Sequence, residues 1–379
     1  MRIGLLRLTD AAPVIIAQEL GFFAEEKVPA LLSVEPSWGN IADKLSHGML
    51  DAAVIVPPLA FALALGLRGA PCRLIVPQAV NLGGNCITLG SKVIDALQRS
   101  TQSGAASVLE WSRHFAHLAR SRQGDRLRLA VVHQFSTHNL MLRYWLAAGG
   151  TDPDADITLT YLPPSQMVEA LERGLIGGFC AGAPWGDVAV EQGLAANVAS
   201  SHGVWRNGPE KVFAVSEAWT ERNPDPLSRT QRALLKAAQY CDQPETAAAI
   251  AAILEQPEYL AIAPQSTAAA LPGADADGDY WRRPALRFFR HAATMPWLSH
   301  AEWYLRQMQR WGQIAADAPI AEIAARIYRP ALYRDAARSL GLAVPVDDRK
   351  AEGHSTAWTL KGEPTDLVME PDGFFDKIP

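Results

Sequence analysis

Up to about residue 205, short apolar or β-branched runs alternate with helix-periodic stretches, the pattern left by helices layered on a largely parallel sheet. Arg2–Leu8, Leu31–Glu35, Ala52–Val56, Arg73–Pro77, Leu127–His133, Ile157–Leu162, Gly178–Ala181 and Ala196–Ala199 are bounded by Gly, Pro, Asp or Asn and predict strands. The first helix is expected from about Ala12 to Leu20, with Thr9 or Asp10 accepting from its free N–H groups, Pro13 in its first turn and Gly21 closing it. Beyond residue 211 the pattern changes. Lys211–Ser216 predicts one more strand, followed mostly by helix, including Leu227–Tyr240, Pro244–Leu254 and His300–Gln313. From about Val344 the chain is rich in Pro, Gly and charge, which predicts a surface wrap without regular structure.

A length of 379 residues exceeds one ordinary core and points to two lobes. No window approaches the ~18 uninterrupted apolar residues of a membrane helix, so no membrane partner is expected. The net charge of −5 argues against direct nucleic-acid binding, which needs a basic face. Cys72, Cys86, Cys180 and Cys241 form no CxxC pair and have no His at zinc spacing, so neither a metal nor any other cofactor is expected, and the cysteines read as small core hydrophobes. Arg7, Asp10 and Pro13 interrupt any export-signal stretch after Met1, so the expected location is the cytoplasm.

Candidate chemistry clusters where strands give way to helices. Trp38-Gly39-Asn40 opens a helix just after Leu31–Glu35, the edge at which open α/β sheets bind ligands. In Asn81-Leu82-Gly83-Gly84-Asn85, two glycines permit close backbone approach beside the Asn85 amide. In His133-Gln134-Phe135-Ser136-Thr137-His138-Asn139, Ser136 or Thr137 caps a helix whose first N–H groups carry partial positive charge, a natural anion cradle. Alone, Trp38 reads equally well as a core residue and the Asn81–Thr88 stretch as a turn, while the third segment is more pointed, with plain capping as its rival. Further stretches are Pro163-Pro164-Ser165-Gln166-Met167, Gly178-Phe179-Cys180-Ala181-Gly182-Ala183-Pro184-Trp185-Gly186 and Pro209-Glu210-Lys211-Val212.

Together these segments resemble the nitrate- and bicarbonate-binding branch of ABC-transporter solute receptors, and more closely its cytoplasmic offshoot, the nitrate/nitrite sensors of the NasS type. The resemblance runs in order from Leu8-Thr9-Asp10-Ala11-Ala12-Pro13 and Gly21-Phe22-Phe23 to Asp372-Gly373-Phe374-Phe375-Asp376, nearly the whole chain. It implies a two-lobed periplasmic-binding-protein-like α/β fold of type II with extra C-terminal helices. Residues 1–82 would begin lobe 1, 83–206 form lobe 2, and 207–379 complete lobe 1 with a helical extension and surface tail. It also implies an anion held between the lobes by Trp38, Asn85, the loop Ser136-Thr137-His138 and Lys211. Asn85 departs from the exported receptors, which carry the longer Gln there, and either His133 or His138 could match the family's histidine.

Nitrate is a planar monoanion with weakly basic oxygens and no proton, so a complementary pocket is expected to offer donors and no carboxylate. Lys211 would supply the charge, and Glu210 is not expected to point inward merely because it precedes Lys211. On that reasoning nitrate and nitrite are favoured over bicarbonate, whose own proton needs an acceptor. The expected mechanism is hinge closure, with crossing segments near 82–90 and 200–210 as hinges. By resemblance, the partner of the closed or open form is a NasT-type (ANTAR-domain) antiterminator regulator. The alternative is the substrate-binding subunit of a nitrate, sulfonate or bicarbonate ABC importer. An enzyme is disfavoured, because no acid is placed to orient His133 or His138.

Overall fold

The computed structural model describes residues 1–100, 107–122, 124, 126–262, 264–273 and 281–377. The chain builds two five-stranded sheets. β1 (Arg2–Leu5), β2 (Leu31–Val34), β3 (Ala52–Ile55) and β4 (Leu74–Ala79) belong to the first. β5 (Asn85–Gly90), β6 (Leu127–Val131), β7 (Ile157–Tyr161), β8 (Gly178–Gly182) and β9 (Ala195–Ser200) make the second. The chain then returns to the first sheet as β10 (Val212–Ser216).

The strand orders are β2-β1-β3-β10-β4 and β7-β6-β8-β5-β9. β1 runs parallel to β2 and β3, and β6 parallel to β7 and β8. Each sheet also takes one strand against the grain: β10 lies antiparallel between β3 and β4, and β5 antiparallel between β8 and β9. This topology decides where a site can form. The carboxyl ends of the parallel strands and the amino ends of β5 and β10 share the edge where the chain crosses between lobes.

Burial explains why the elements hold. Ile3, Leu5, Val54, Phe213 and Val215 from the first sheet pack on Val14, Ile15, Ala233, Leu234 and Ala237 from helices Ala12–Glu19 and Pro224–Cys241. Each large apolar side chain removed from water contributes about 1.5–3 kcal/mol. Gly21, at φ +80°, ends the first helix in the left-handed region, as its type allows.

Three expectations need correction. Asn85–Gly90, read as a turn, is a fully buried strand inside the second sheet. The crossing segments are therefore about 80–84 and 201–211, and residues 85–90 cannot hinge without breaking two ladders. The tail from Val344 is not without regular structure. β11 (Val344–Pro345) pairs with β13 (Gly362–Glu363), and β12 (Trp358–Leu360) pairs with β14 (Leu367–Met369). Its end then lies on the lobe junction, with Phe374 stacked on Trp205 at 4.4 Å between centroids. The apolar face of the tail thus finds a partner that its charged composition conceals.

Candidate functional site

The shared edge places Trp38, Asn85, His138 and Lys211 in the interior, each 0–1 % exposed. Ser37 caps the helix Trp38–Ser46 through Asn40 N–H, which fixes Trp38 in the first turn. Asn85 begins β5, its backbone N–H donating to Ser201 Oγ at 3.0 Å. Ser136 caps the helix Thr137–Ala148, accepting from Asn139 N–H at 3.1 Å while its hydroxyl donates to the His133 carbonyl at 2.7 Å. That puts Thr137 and His138 in the first helical turn, facing the crossing segment before β10.

Lys211 Nζ lies 2.8 Å from Asp10 Oδ2 and 2.7 Å from Glu210 Oε1. Thr137 Oγ1 also donates to Glu210 Oε1, and His138 Nε2 stands 4.0 Å from the same oxygen. The indole of Trp38 covers the ammonium, its ring centroid 5.8 Å from Nζ. Gly182, at the end of β8, brings the remaining pieces together. A Cβ there would sit 3.5 Å from both Asn85 Oδ1 and Asp10 Oδ2, and 3.3 Å from Leu8 Cδ2.

Burial would by itself lower the Lys211 pKa, but Asp10 and Glu210 outweigh it and hold the ammonium above its ordinary value. Burial pushes the Asp10 carboxyl up, with Lys211 pulling it back only in part. Burial, reinforced by the Lys211 charge, holds His138 well below the ordinary imidazole value, so its ring is neutral at pH 7. Most of the other polar atoms here lack a hydrogen-bond partner among the described residues. They are Trp38 Nε1, both side-chain atoms of Asn85, both ring nitrogens of His138 and Thr9 Oγ1. Buried polar groups are ordinarily bonded, so such a concentration around one buried cation marks a place built for a polar guest.

The predicted residues divide unevenly. Trp38, Asn85, Thr137, His138 and Lys211 converge, whereas Ser136 has its hydroxyl engaged in the helix cap. Of the two histidines, His138 is the one beside Lys211. His133 sits outside against Arg68 Nη1 at 3.1 Å, and burial and that guanidinium lower its pKa to about 4. The expectation of a pocket without carboxylates is wrong, since Asp10 and Glu210 both reach the lysine. Neither Thr9 nor Asp10 caps the first helix, since the N-cap of Ala12–Glu19 is Ala11 and it has no side-chain cap bond. With two acceptors present, the argument against bicarbonate from a missing acceptor falls. Asp10 lies in the turn Thr9–Ala11 that follows β1, and its burial against Lys211 is seen only in the structure.

A cavity of about 30 Å³, lined by Thr137, Tyr144, Trp205, Glu210, Tyr304 and Phe374 among others, opens beside this cluster. It has room for about two waters. A larger one of about 550 Å³, bordered by Lys92, Arg122, Arg126 and Arg128, lies at the opposite edge of the second sheet, where β5 ends and β6 begins. No group of three or more His, Cys, Asp or Glu suited to a metal occurs among the described residues, and no helix among them is long and apolar enough to cross a membrane.

The profile of the NMT1-like family matches residues 1–255. The chain is 36 % identical over 347 residues to the nitrate import ATP-binding protein NrtC of Synechocystis sp. strain PCC 6803, covering 89 % of this chain and 50 % of that protein. It is 32 % identical over 353 residues to the bicarbonate transport ATP-binding protein CmpC of Synechococcus elongatus, covering 93 % of this chain and 51 % of that one. It thus spans about half the length of these relatives. The crystal structure of the periplasmic nitrate-binding protein NrtA from Synechocystis PCC 6803 superposes with a TM-score of 0.84 at 26 % identity, covering 100 % of this chain and 94 % of NrtA. The expected two-lobed periplasmic-binding-protein-like fold therefore holds.

Proposed function

The chain belongs to the NMT1-like family, and from that premise we propose that it binds nitrate or nitrite between its two lobes and performs no chemistry on it. One observation carries this reading: Trp38 Nε1, the Asn85 amide and the His138 ring stand unpartnered around the buried Lys211. An anion beside Nζ would meet the ammonium, an indole N–H, an amide N–H and one N–H of the neutral imidazole, four donors in a water-poor setting. Similarity to the nitrate-binding NrtA supports nitrate as the guest. The CmpC relatives make bicarbonate the necessary control.

In the finer reading the protein is a cytoplasmic sensor. Its lobes close on the anion, and the change in shape controls a NasT-type (ANTAR-domain) antiterminator of nitrate-assimilation genes, with no direct contact to nucleic acid or membrane. The motif resemblance over nearly the whole chain supports this. The second reading, the substrate-binding subunit of a nitrate ABC importer, is favoured by the match to NrtA over 94 % of its solved chain.

Isothermal titration of the chain with nitrate, nitrite and bicarbonate tests the first step, with tighter binding of nitrate or nitrite expected. Tighter binding of bicarbonate would overturn the assignment. Capture of a NasT-type regulator by the anion-free chain, and its release on adding nitrate, would support the sensor. Capture by a permease and indifference of the regulator would leave the importer reading in its place.

A further inference from the structure

Charge at the lobe junction does not balance for a simple anion receptor. Before any guest arrives, the single ammonium of Lys211 faces two carboxylates, Asp10 and Glu210, and all three side chains are 0–3 % exposed. Other charged or titratable groups do not redress this. His138, from the helix Thr137–Ala148, is neutral. The guanidinium of Arg7, three residues before Asp10, turns away to the carbonyls of Pro257 and Tyr259. Tyr304 donates its hydroxyl to the Pro209 carbonyl, and Cys180 on β8 is a buried thiol kept protonated chiefly by burial. Among the described residues no other cation lies within ion-pair distance of Asp10 or Glu210. A bound monoanion would therefore raise the buried negative excess from one to two, which a low-dielectric interior strongly opposes.

We infer that the anion enters this site together with one proton taken from solvent, and that Asp10 holds it. The inference rests on the anion-binding reading above. Geometry selects Asp10 over Glu210. Glu210 Oε1 is already occupied by two donors, the Lys211 ammonium and the Thr137 hydroxyl. Among the described residues the Asp10 carboxylate meets Lys211 alone, on Oδ2, in surroundings that already push its carboxyl up. The balance is simple: carboxylate, proton and anion become carboxylic acid and anion, with no bond broken elsewhere and no change in total buried charge. Protonation also converts Asp10 from an acceptor competing for Nζ into a hydroxyl donor, and it releases the ammonium toward the guest. Asp10 is thus a specificity-determining residue: it sets the charge that the site accepts.

Nitrate isolates the effect, because it stays ionised over the whole working range and brings no proton of its own. Titration calorimetry of the full chain with nitrate between about pH 6 and 9 should show affinity falling by up to about tenfold per pH unit. Repeating it in two buffers of different ionisation enthalpy should give an uptake of up to one proton per anion. Asp10→Asn, which mimics the neutral acid, should bind nitrate with little pH dependence and exceed the wild type at the alkaline end. Nitrate binding that is independent of pH in the wild type overturns the proton uptake and leaves the anion reading standing. A wild-type pH slope retained in folded Asp10→Asn overturns the assignment to Asp10. No nitrate binding at any of these pH values overturns both readings, and the wild-type measurement decides the proton count even if the variant fails to fold.

Discussion

Two buried lysines in this protein look alike until their neighbours are compared. Lys211 and Lys350 each sit beside two carboxylates, a histidine and the face of a tryptophan, with Nζ 5.8 Å from the Trp38 ring in one case and 6.0 Å from the Trp297 ring in the other. Around Lys350 most of the bonds are made, Asp372 Oδ2 excepted. Its ammonium lies 3.0 Å from Glu352 Oε1, His300 Nε2 meets the same carboxylate at 2.8 Å, and Asp372 Oδ1 collects the backbone N–H groups of Gly353 and His354 with the His354 ring. Around Lys211 the histidine, the asparagine and the indole have no partner among the described residues. Burial and charge are therefore poor guides to function by themselves. The unmade bonds distinguish a site from a clasp, and the clasp at Asp372 fixes the tail beside the lobe junction.

Replacing each lysine by methionine should separate the two roles most sharply. Lys211→Met is expected to reduce nitrate affinity more than about 100-fold, since it removes the ammonium buried at the site. Lys350→Met strands Glu352 and should cost about 3–5 kcal/mol of folding stability, while nitrate affinity in the folded fraction stays within about twofold. Denaturant unfolding alongside calorimetry measures both. A Lys350→Met protein that is fully folded yet blind to nitrate would break the comparison.

Asn85→Ala comes next. Loss of a hydrogen bond to a charged guest costs about 1.5–3 kcal/mol, or roughly tenfold to 100-fold in nitrate affinity. A Cβ at Gly182 would stand 3.5 Å from Asn85 Oδ1, so the glycine leaves open space beside the shorter amide. Trp38→Phe should lose less, about three- to tenfold, because the ring over the ammonium survives and only the N–H goes. Unchanged affinity in either variant, measured by the same titration, would mean that the corresponding orphaned atom serves packing rather than recognition.

Much of this was legible in the sequence, and what was hidden was hidden for physical reasons. Nine of the ten principal strands announced themselves through short apolar runs between turn residues. β5 did not, because two positive-φ glycines, Gly83 at +70° and Gly84 at +104°, precede it and read as a turn continuing through Asn85. Those glycines have their own cause: a Cβ on Gly83 would come within 2.5 Å of the Ala285 carbonyl oxygen. Lys211 and the His-bearing loop entered through the family resemblance, which left His133 and His138 both open, and only the structure puts His138 beside Lys211. Asp10 was masked by a local pattern, Thr-Asp-Ala-Ala-Pro, that serves equally for a helix start, while its partner lies some two hundred residues away. Glu210 was masked because it precedes the first ladder residue of β10, so the alternation of faces along a strand does not govern it.

The smallest effect should appear in the histidines. His138 faces the Lys211 ammonium with no carboxylate in hydrogen-bond contact, so burial and like charge both oppose its protonation. His300 is also lowered by burial, but its bond to Glu352 works the other way. Proton-detected titration should therefore find His300 charging first as pH falls, with His138 remaining neutral to a lower pH. Both folded-state pKa values lie below the unfolded value of about 6.5, so the folded chain binds fewer protons than the unfolded chain once pH drops below that point. The stability these two histidines contribute then declines with acidification, and His138 should account for more of that decline than His300. His138→Gln should flatten the acid limb of the stability curve more than His300→Gln does. The reverse order would mean that Glu210 Oε1, 4.0 Å from His138 Nε2, outweighs burial and the Lys211 charge, and the contrast between an open site and a closed clasp would have to be drawn elsewhere.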